Sequence, residues 1–314
     1  MKKHIEVVPY NEDWPKQFES EAREIKLALK DYCVAIHHVG STAVPGLPAK
    51  PKIDIITVVK KPEECTALLE QAGYTYNGEW NVPFKYGFTK RGKVQVNLHV
   101  FEEGHSDIEL NLIFRDYLLS HKLAIEEYAK LKIHLLKEDE AHQKQKDQMF
   151  RGYTLGKDAF IRKILEKAGF NALRFTHCVH HYEWEGYHRI AQAEIFDPVH
   201  VEYDRNHPTL KAENHFHFVL SKGIKVIATA HVEFIDKNTA AIRILATDKG
   251  YQRQGFGSYM LGLLEKWIKV HGRNTIKMHA RLNAEGFYRK LGYNEMLFDD
   301  PSISDDIIDL GKNV

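Results

Sequence analysis

The stretch Gln252-Arg253-Gln254-Gly255-Phe256-Gly257 sets two glycines one residue apart, between an apolar run and a helical pattern. Glycine permits left-handed φ angles and, lacking Cβ, lets another group approach the backbone closely. A helix that starts here leaves amide N–H groups unpaired, with the positive end of its dipole behind them. That is the chemistry of a phosphate site, although a tight strand-to-helix corner asks for the same glycines. Glu233, on a preceding strand, offers a carboxylate that can accept a proton. The plain readings are a packed aromatic for Tyr288, beside Phe287, and an exposed strand carboxylate for Glu233. In the first half, His38, Gly40, Ser41, Lys50, Lys52 and Asp54 crowd around a Gly/Pro loop, with His99 and Arg115 further on. These residues suit a phosphorylated ligand or a structural polar network.

Two apolar-periodic halves must position these groups. A chain of 314 residues exceeds the commonest single-domain size, so two domains are expected, 1–168 and 169–314. Hydrophobic residues make up 43% and charged residues 28%, as in a globular chain with a full core. Net charge is +1. The halves on either side of Phe170 carry 26 and 18 Lys+Arg against 25 and 18 Asp+Glu. Neither has the excess expected of a nucleic-acid or membrane-surface binder. Cys33, Cys65 and Cys178 are too scattered for a disulfide framework or a zinc pattern. With no apolar h-region near the N-terminus and no long apolar run, a reduced, cytoplasmic protein is expected. His215-Phe216-His217 puts two imidazoles on one strand face, and His177, His180 and His181 group nearby. No cysteine or carboxylate stands at a zinc spacing, so no metal site is expected. These histidines are read as surface or interface residues, with His215 and His217 also placed to line an acceptor pocket.

Elements follow from periodicity. Asp13 before Trp14-Pro15 reads as a helix cap, with Trp14, Phe18, Ala22, Ile25 and Leu29 at helical spacing. Strands are expected at 34–39, 53–59 and 94–101, a helix at 62–73, and mostly helix over 115–164 with a break near Gly152. In the second half strands are expected at 171–179, 187–196, 215–220, 226–234, 240–246 and 275–279. An amphipathic helix follows Gly257 and stops at Gly272, and a short one covers 284–291. The fold class is α/β (α+β).

Two resemblances sharpen this. Ile244-Leu245-Ala246-Thr247 through Trp267, with His279 to Tyr293, resembles the GNAT N-acetyltransferase superfamily. The matching residues are Gln252, Gly255 and Gly257, and the Tyr288-Arg289-Lys290-Leu291-Gly292-Tyr293 run. The resemblance implies a mixed-sheet domain, acetyl-CoA as cofactor, and a small-molecule or peptide amine as acceptor. It implies pyrophosphate on the amides of Arg253, Gln254, Gly255, Phe256, Gly257 and Ser258, and pantetheine along Leu245, Ala246 and Thr247. Tyr288 matches the family's general acid, and Lys290 falls in its second motif. Many members carry asparagine where this chain has Arg281, which can contact a CoA phosphate; Asn283 stands two residues later and can cap the following helix. His37 to Ile55, with Asn97-Leu98-His99-Val100, Phe114 to Leu118, Tyr128 with Lys132, and Tyr153 with Lys157, resembles the GrpB family. That family resembles the nucleotidyltransferase fold, whose two-metal chemistry needs paired carboxylates. Here Asp54 is followed by two isoleucines, and Asn97 and His99 stand on the later strand. Two-metal transfer is therefore not expected; the cluster can bind a phosphorylated ligand or form a structural network, and a CoA- or nucleotide-binding regulatory or scaffold protein and an active nucleotidyltransferase stand as alternatives.

Overall fold

In the computed structural model of the chain, residues 5–138, 142–143, 149–302 and 306–314 are described. Part of the expected 115–164 helical region, and the first residues of the N-terminus, lie outside them. The chain divides into two compact units, Met1–Arg174 and Phe175–Val314. Both are mixed α/β, each built on one sheet.

The first unit opens with helix α1 (Trp14–Leu29), which carries a proline in its first turn and buries Trp14, Ile25 and Leu29. Asp13 does not cap it: no helix N–H reaches its side chain, and its own N–H is held by Asn11 Oδ1 at 2.9 Å. Strands β1 (Cys33–Val39) and β2 (Ile53–Val59) flank the Gly/Pro loop. Helix α2 (Pro62–Gln71) leads to β3 (Thr75–Gly78), β4 (Tyr86–Lys90) and β5 (Val96–Glu102). The sheet order is β1-β2-β5-β4-β3, with β2 and β5 parallel. Its two faces bury different sets. Ile53, Ile55, Leu98 and Val100 pack with α1 and α2, while Ile56, Val58 and Phe101 pack with Ile108 and Leu112. The latter two sit on α3 (Ser106–Ser120), followed by α4 (Lys122–Leu135), α5 (Gly152–Leu155) and α6 (Asp158–Lys167). Helix α3 thus starts nine residues before the 115 expected from periodicity.

The second unit is a seven-stranded sheet of order β11-β12-β10-β9-β8-β7-β6. Its strands are β6 (Leu173–His177), β7 (His215–Lys222), β8 (Lys225–Phe234), β9 (Thr239–Thr247), β10 (Thr275–Arg281), β11 (Asn294–Glu295) and β12 (Ile307–Asn313). The strand expected at 187–196 is instead the helix α7 (His181–Ala191) and a wider turn over Gln192–Phe196. Three features impose helix. The Glu183 carboxylate accepts the N–H groups of Val179 and His180, each at 2.8 Å, at the helix start. Tyr187, Ile190 and Ala191 recur at helical spacing and are all buried. Gly186 lets the helix backbone sit on β8, since a Cβ there would lie 2.5 Å from Val226 Cβ. Helices α8 (Phe256–Val270) and α9 (Glu285–Lys290) complete the unit. Gly272, at φ +79, follows α8 as expected.

Candidate functional site

In the second unit β9 and β10 run parallel but pair only at Thr239–Ala241 with Thr275–Lys277. Beyond that they part. β9 continues to Thr247 paired only with β8, and β10 continues to Arg281 paired only with β12. The facing edges at Ile242–Thr247 and Met278–Arg281 therefore have unmatched backbone groups, the condition for an extended ligand to lie along them. Leu245, Ala246 and Thr247 stand on this open edge.

The loop after β9 leads into the start of α8. Gly255 occupies its cap position at φ +86, and Arg253 before it also has positive φ, +61. The two glycines do different jobs. A Cβ on Gly255 would meet nothing within 4 Å, so its backbone angle, not space, calls for glycine. A Cβ on Gly257 would lie 3.3 Å from Thr247 Oγ1 and 3.7 Å from the Phe287 ring, so this glycine sets how closely α8 approaches β9 and α9. Gln252 holds the loop from below, donating to Thr247 O at 3.0 Å and to Glu194 Oε2 at 2.8 Å. Gln254 donates to Gly250 O at 3.2 Å. Phe256, Gly257 and Ser258 form the first turn of α8 and keep partial exposure, and the N–H groups of a first turn have no partner within the helix.

Tyr288, on α9, is buried, with its ring edge-on to Phe287 and Tyr293. Burial pushes its phenol up to about 12, so it holds its proton throughout the neutral range. Arg281 is not free to reach outward. Its guanidinium donates to the carbonyl of Ile195, tying the end of β10 to the turn after α7. Asn283 does not cap α9; Ala284 holds that position without a side-chain bond. Asn283 and Lys290 are exposed. Glu233 is neither exposed nor unengaged. Arg243 grips it through Nε at 2.8 Å and Nη2 at 2.7 Å, and His215 Nε2 lies 3.7 Å away.

His215 and His217 are packed rather than superficial, while His181 is exposed. His215 Nδ1 lies 2.8 Å from His231 Nε2, and His217 stacks on His231 at 4.3 Å. His217 also bonds the Tyr187 hydroxyl at 3.0 Å and Thr209 O at 3.1 Å. Burial pushes His217 down to about 4. Among the described residues no group of His, Cys, Asp and Glu is arranged to hold a metal ion.

In the first unit the polar cluster divides. Asp54 and Asn97 are register partners, and Asn97 Nδ2 donates to Asp54 Oδ1 at 2.8 Å. Gly40, at φ +70, lies so close that a Cβ would fall 2.5 Å from Asp54 Oδ2. Lys50 lies 4.3 Å and Lys157 4.9 Å from the centroid of the same Tyr153 ring. Lys132 is buried, donating to Ser41 Oγ at 3.2 Å and to the carbonyl of Pro48. Burial, with Lys157 and Lys52 nearby, pushes Lys50 down to about 8. Burial and Lys157 push Lys132 down to about 7. Asp54 is raised by burial, against donation from Asn97. Lys50, Lys52 and Lys157 thus stand near the one carboxylate, Asp54, while Lys132 holds the Gly/Pro loop at Ser41. Two expected members are elsewhere. His38 alternates onto the opposite sheet face, where it stacks on Phe18 at 4.7 Å and bonds Thr42 Oγ1 at 3.0 Å. Arg115 binds the His38 carbonyl at 2.9 Å and Asp116. His99 shares the Asp54 face, two residues along β5 from Asn97, and burial pushes it down to about 3. Lys132 and Lys157 were not assigned to the cluster from sequence. For Lys132 the signal was present: Tyr128 and Lys132 are four apart on α4, which sets them on one helix face, whereas Lys157 lies between α5 and α6 and meets Tyr153 across that junction.

A family model described as GrpB protein matches residues 4–167, and one described as Acetyltransferase (GNAT) family matches residues 177–293. The UPF0157 protein YqkA of Bacillus subtilis is 36% identical over 171 residues, covering 53% of this chain and 48% of that protein. The UPF0157 protein BH1888 of Halalkalibacterium halodurans is 35% identical over 167 residues, 52% of this chain and 82% of the relative. The match therefore spans about half the length of the first relative and most of the second. The solved structure of the conserved protein GrpB from Enterococcus faecalis is 34% identical, with a TM-score of 0.45, over 52% of this chain and 96% of that one. Closed onto Asp54 in one unit and opened between β9 and β10 in the other, the chain belongs to the GrpB family and carries a GNAT acetyltransferase domain after its GrpB domain.

Proposed function

We propose that the second unit transfers the acetyl group of acetyl-CoA to a primary amine of a small molecule or peptide. The observation that carries this is the parting of β9 from β10 above the amide-lined start of α8. Residues Leu245–Thr247 offer an edge for the pantetheine, and the amides of Arg253–Ser258 offer donors for the pyrophosphate. The bound thioester supplies an activated acetyl group. Tyr288, which keeps its proton at neutral pH, is the donor for the sulfur that leaves. Gly255→Asn tests the loop. Asparagine tolerates left-handed φ, so the fold is kept while a side chain enters the mouth of the loop. Acetyl-CoA affinity by calorimetry is expected to fall about tenfold or more. Wild-type affinity in a folded variant would refute the loop assignment.

A second reading concerns the first unit. Three lysines near one carboxylate, with Lys132 on the adjoining loop, favour a phosphorylated small molecule there, bound without nucleotidyl transfer. Asp54 faces Asn97 rather than a second acid, which is too little to make metal essential. Binding of inorganic pyrophosphate is expected to persist in EDTA, to change modestly in Asp54→Asn and to vanish in Ser41→Trp. Mg²⁺-dependent turnover of a nucleoside triphosphate would overturn it.

A further inference from the structure

The acceptor's ammonium must lose a proton before its nitrogen can attack, and the site needs a group to take it. Glu233 is an awkward choice, since Arg243 already holds its Oε2 through Nε and Nη2. A different pair stands where the strands part. His279 is the second residue of β10 beyond its last pair with β9. Directly across the register on β12 is Asp309, and His279 Nδ1 lies 2.8 Å from its Oδ1. The other oxygen accepts the Phe298 N–H at 3.0 Å. Burial opposes ionisation of Asp309, but the Phe298 N–H and His279 hold it below the ordinary carboxylate value. A carboxylate only accepts, so the imidazole hydrogen sits on Nδ1. In the neutral ring the lone pair is then on Nε2, and that atom is buried with no hydrogen-bond partner among the described residues.

The ring is also fixed in place. It stacks on Phe298 at 4.7 Å with 22° between planes. The same Phe298 ring carries the Arg243 guanidinium at 5.2 Å. Arg243 is the extra residue where β9 bulges between its pairs with His231 and Val232. Bulges of this kind re-aim side chains beside sites. His279 and Arg243 thus share one aromatic ring beside the point where β9 and β10 separate.

We propose that His279, oriented by Asp309, is the general base that takes a proton from the acceptor amine. The proposal rests on the acetyl-transfer reading and supplies its missing residue. The ammonium gives one proton to Nε2, and the imidazolium is stabilised by Asp309. The freed nitrogen pair forms the C–N bond as the C–S bond breaks. The sulfur takes the Tyr288 proton, the acylated nitrogen, still carrying two hydrogens, gives one through solvent to restore the phenol and becomes the neutral amide, and His279 releases its proton to water.

The test uses the full chain with ¹⁵N-labelled histidine. The His279 ring signals are assigned by their loss in His279→Gln, and the protein is titrated with CoA. Both ring nitrogens of His279 are expected to shift on CoA binding, and the Nδ1–H signal is expected to be perturbed in Asp309→Asn. CoA binding that leaves His279 unmoved would overturn the base assignment alone. Failure of the wild-type chain to bind CoA would overturn the acetyl-transfer reading and this proposal with it. In turnover with the amine acetylated fastest in a primary-amine library, His279→Gln is expected to lose ~10²-fold or more in kcat with little change in acetyl-CoA affinity. The acidic limb of the kcat/KM profile should disappear, and added imidazole should partly restore His279→Gly. A variant that keeps both rate and limb would contradict the role.

Discussion

Tyr288 and Lys50 are both shifted by burial, in directions that suit their proposed work. A phenol raised to about 12 stays protonated at any pH where an amine is acetylated. Tyr288→Phe keeps the ring between Phe287 and Tyr293 and removes only the proton. Turnover is expected to fall by ~10²-fold with acetyl-CoA affinity little changed; steady-state kinetics beside calorimetry separate the two. An unchanged rate would leave Tyr288 as packing. Lys50, lowered to about 8, is only partly charged in slightly alkaline solution before a ligand arrives. An anion favours its charged form and so raises its pKa. Pyrophosphate affinity should therefore be full below about 8 and decline as pH rises through that value. Near pH 8 binding should take up protons, seen as a calorimetric enthalpy that varies with the buffer. An affinity flat from pH 7 to 9 would place the anion away from Lys50.

At the scale of elements, the sequence showed most where one period ran unbroken. Strand β2 and the helix after Gly257 were legible because β2 is almost uniformly apolar and α8 carries a clear stripe. Helix α7 was misread because Tyr187, Ile190 and Phe196 also suggest a strand, while its decisive features are not periodic. They are the Glu183 carboxylate on the amides before the helix, and Gly186 against Val226. Gly186→Ala should accordingly behave unlike a surface glycine-to-alanine change, which favours helix. With a Cβ forced to 2.5 Å from Val226, a loss of about 1–3 kcal/mol is expected in denaturant unfolding. A stabilised variant would show that α7 is not seated on β8. Strand alternation explains the misplaced site residue too. His38 and Val39 are adjacent in sequence and must face opposite sides of the sheet. Proximity in the motif placed His38 with Asp54; the pleat takes it to Phe18.

For the whole molecule, the two family motifs were enough to read a GrpB domain followed by a GNAT domain. Partners that depend on long-range registry were not readable. Asp309 meets His279 only because β12 returns antiparallel beside β10. Lys132 meets Ser41 only through the path of α4 across the Gly/Pro loop. The acceptor amine is the largest gap, and it bears on the central claim. The purified chain with acetyl-CoA and a library of primary amines and free-amino-terminal peptides provides the direct measurement, following thiol release together with acetylated product by mass spectrometry. The account expects at least one amine for which released thiol and acetyl-amine appear in equal amounts, with both reduced together in Tyr288→Phe. Tight acetyl-CoA binding with no thiol released in the presence of any amine would contradict it and leave the second unit as a CoA-binding module.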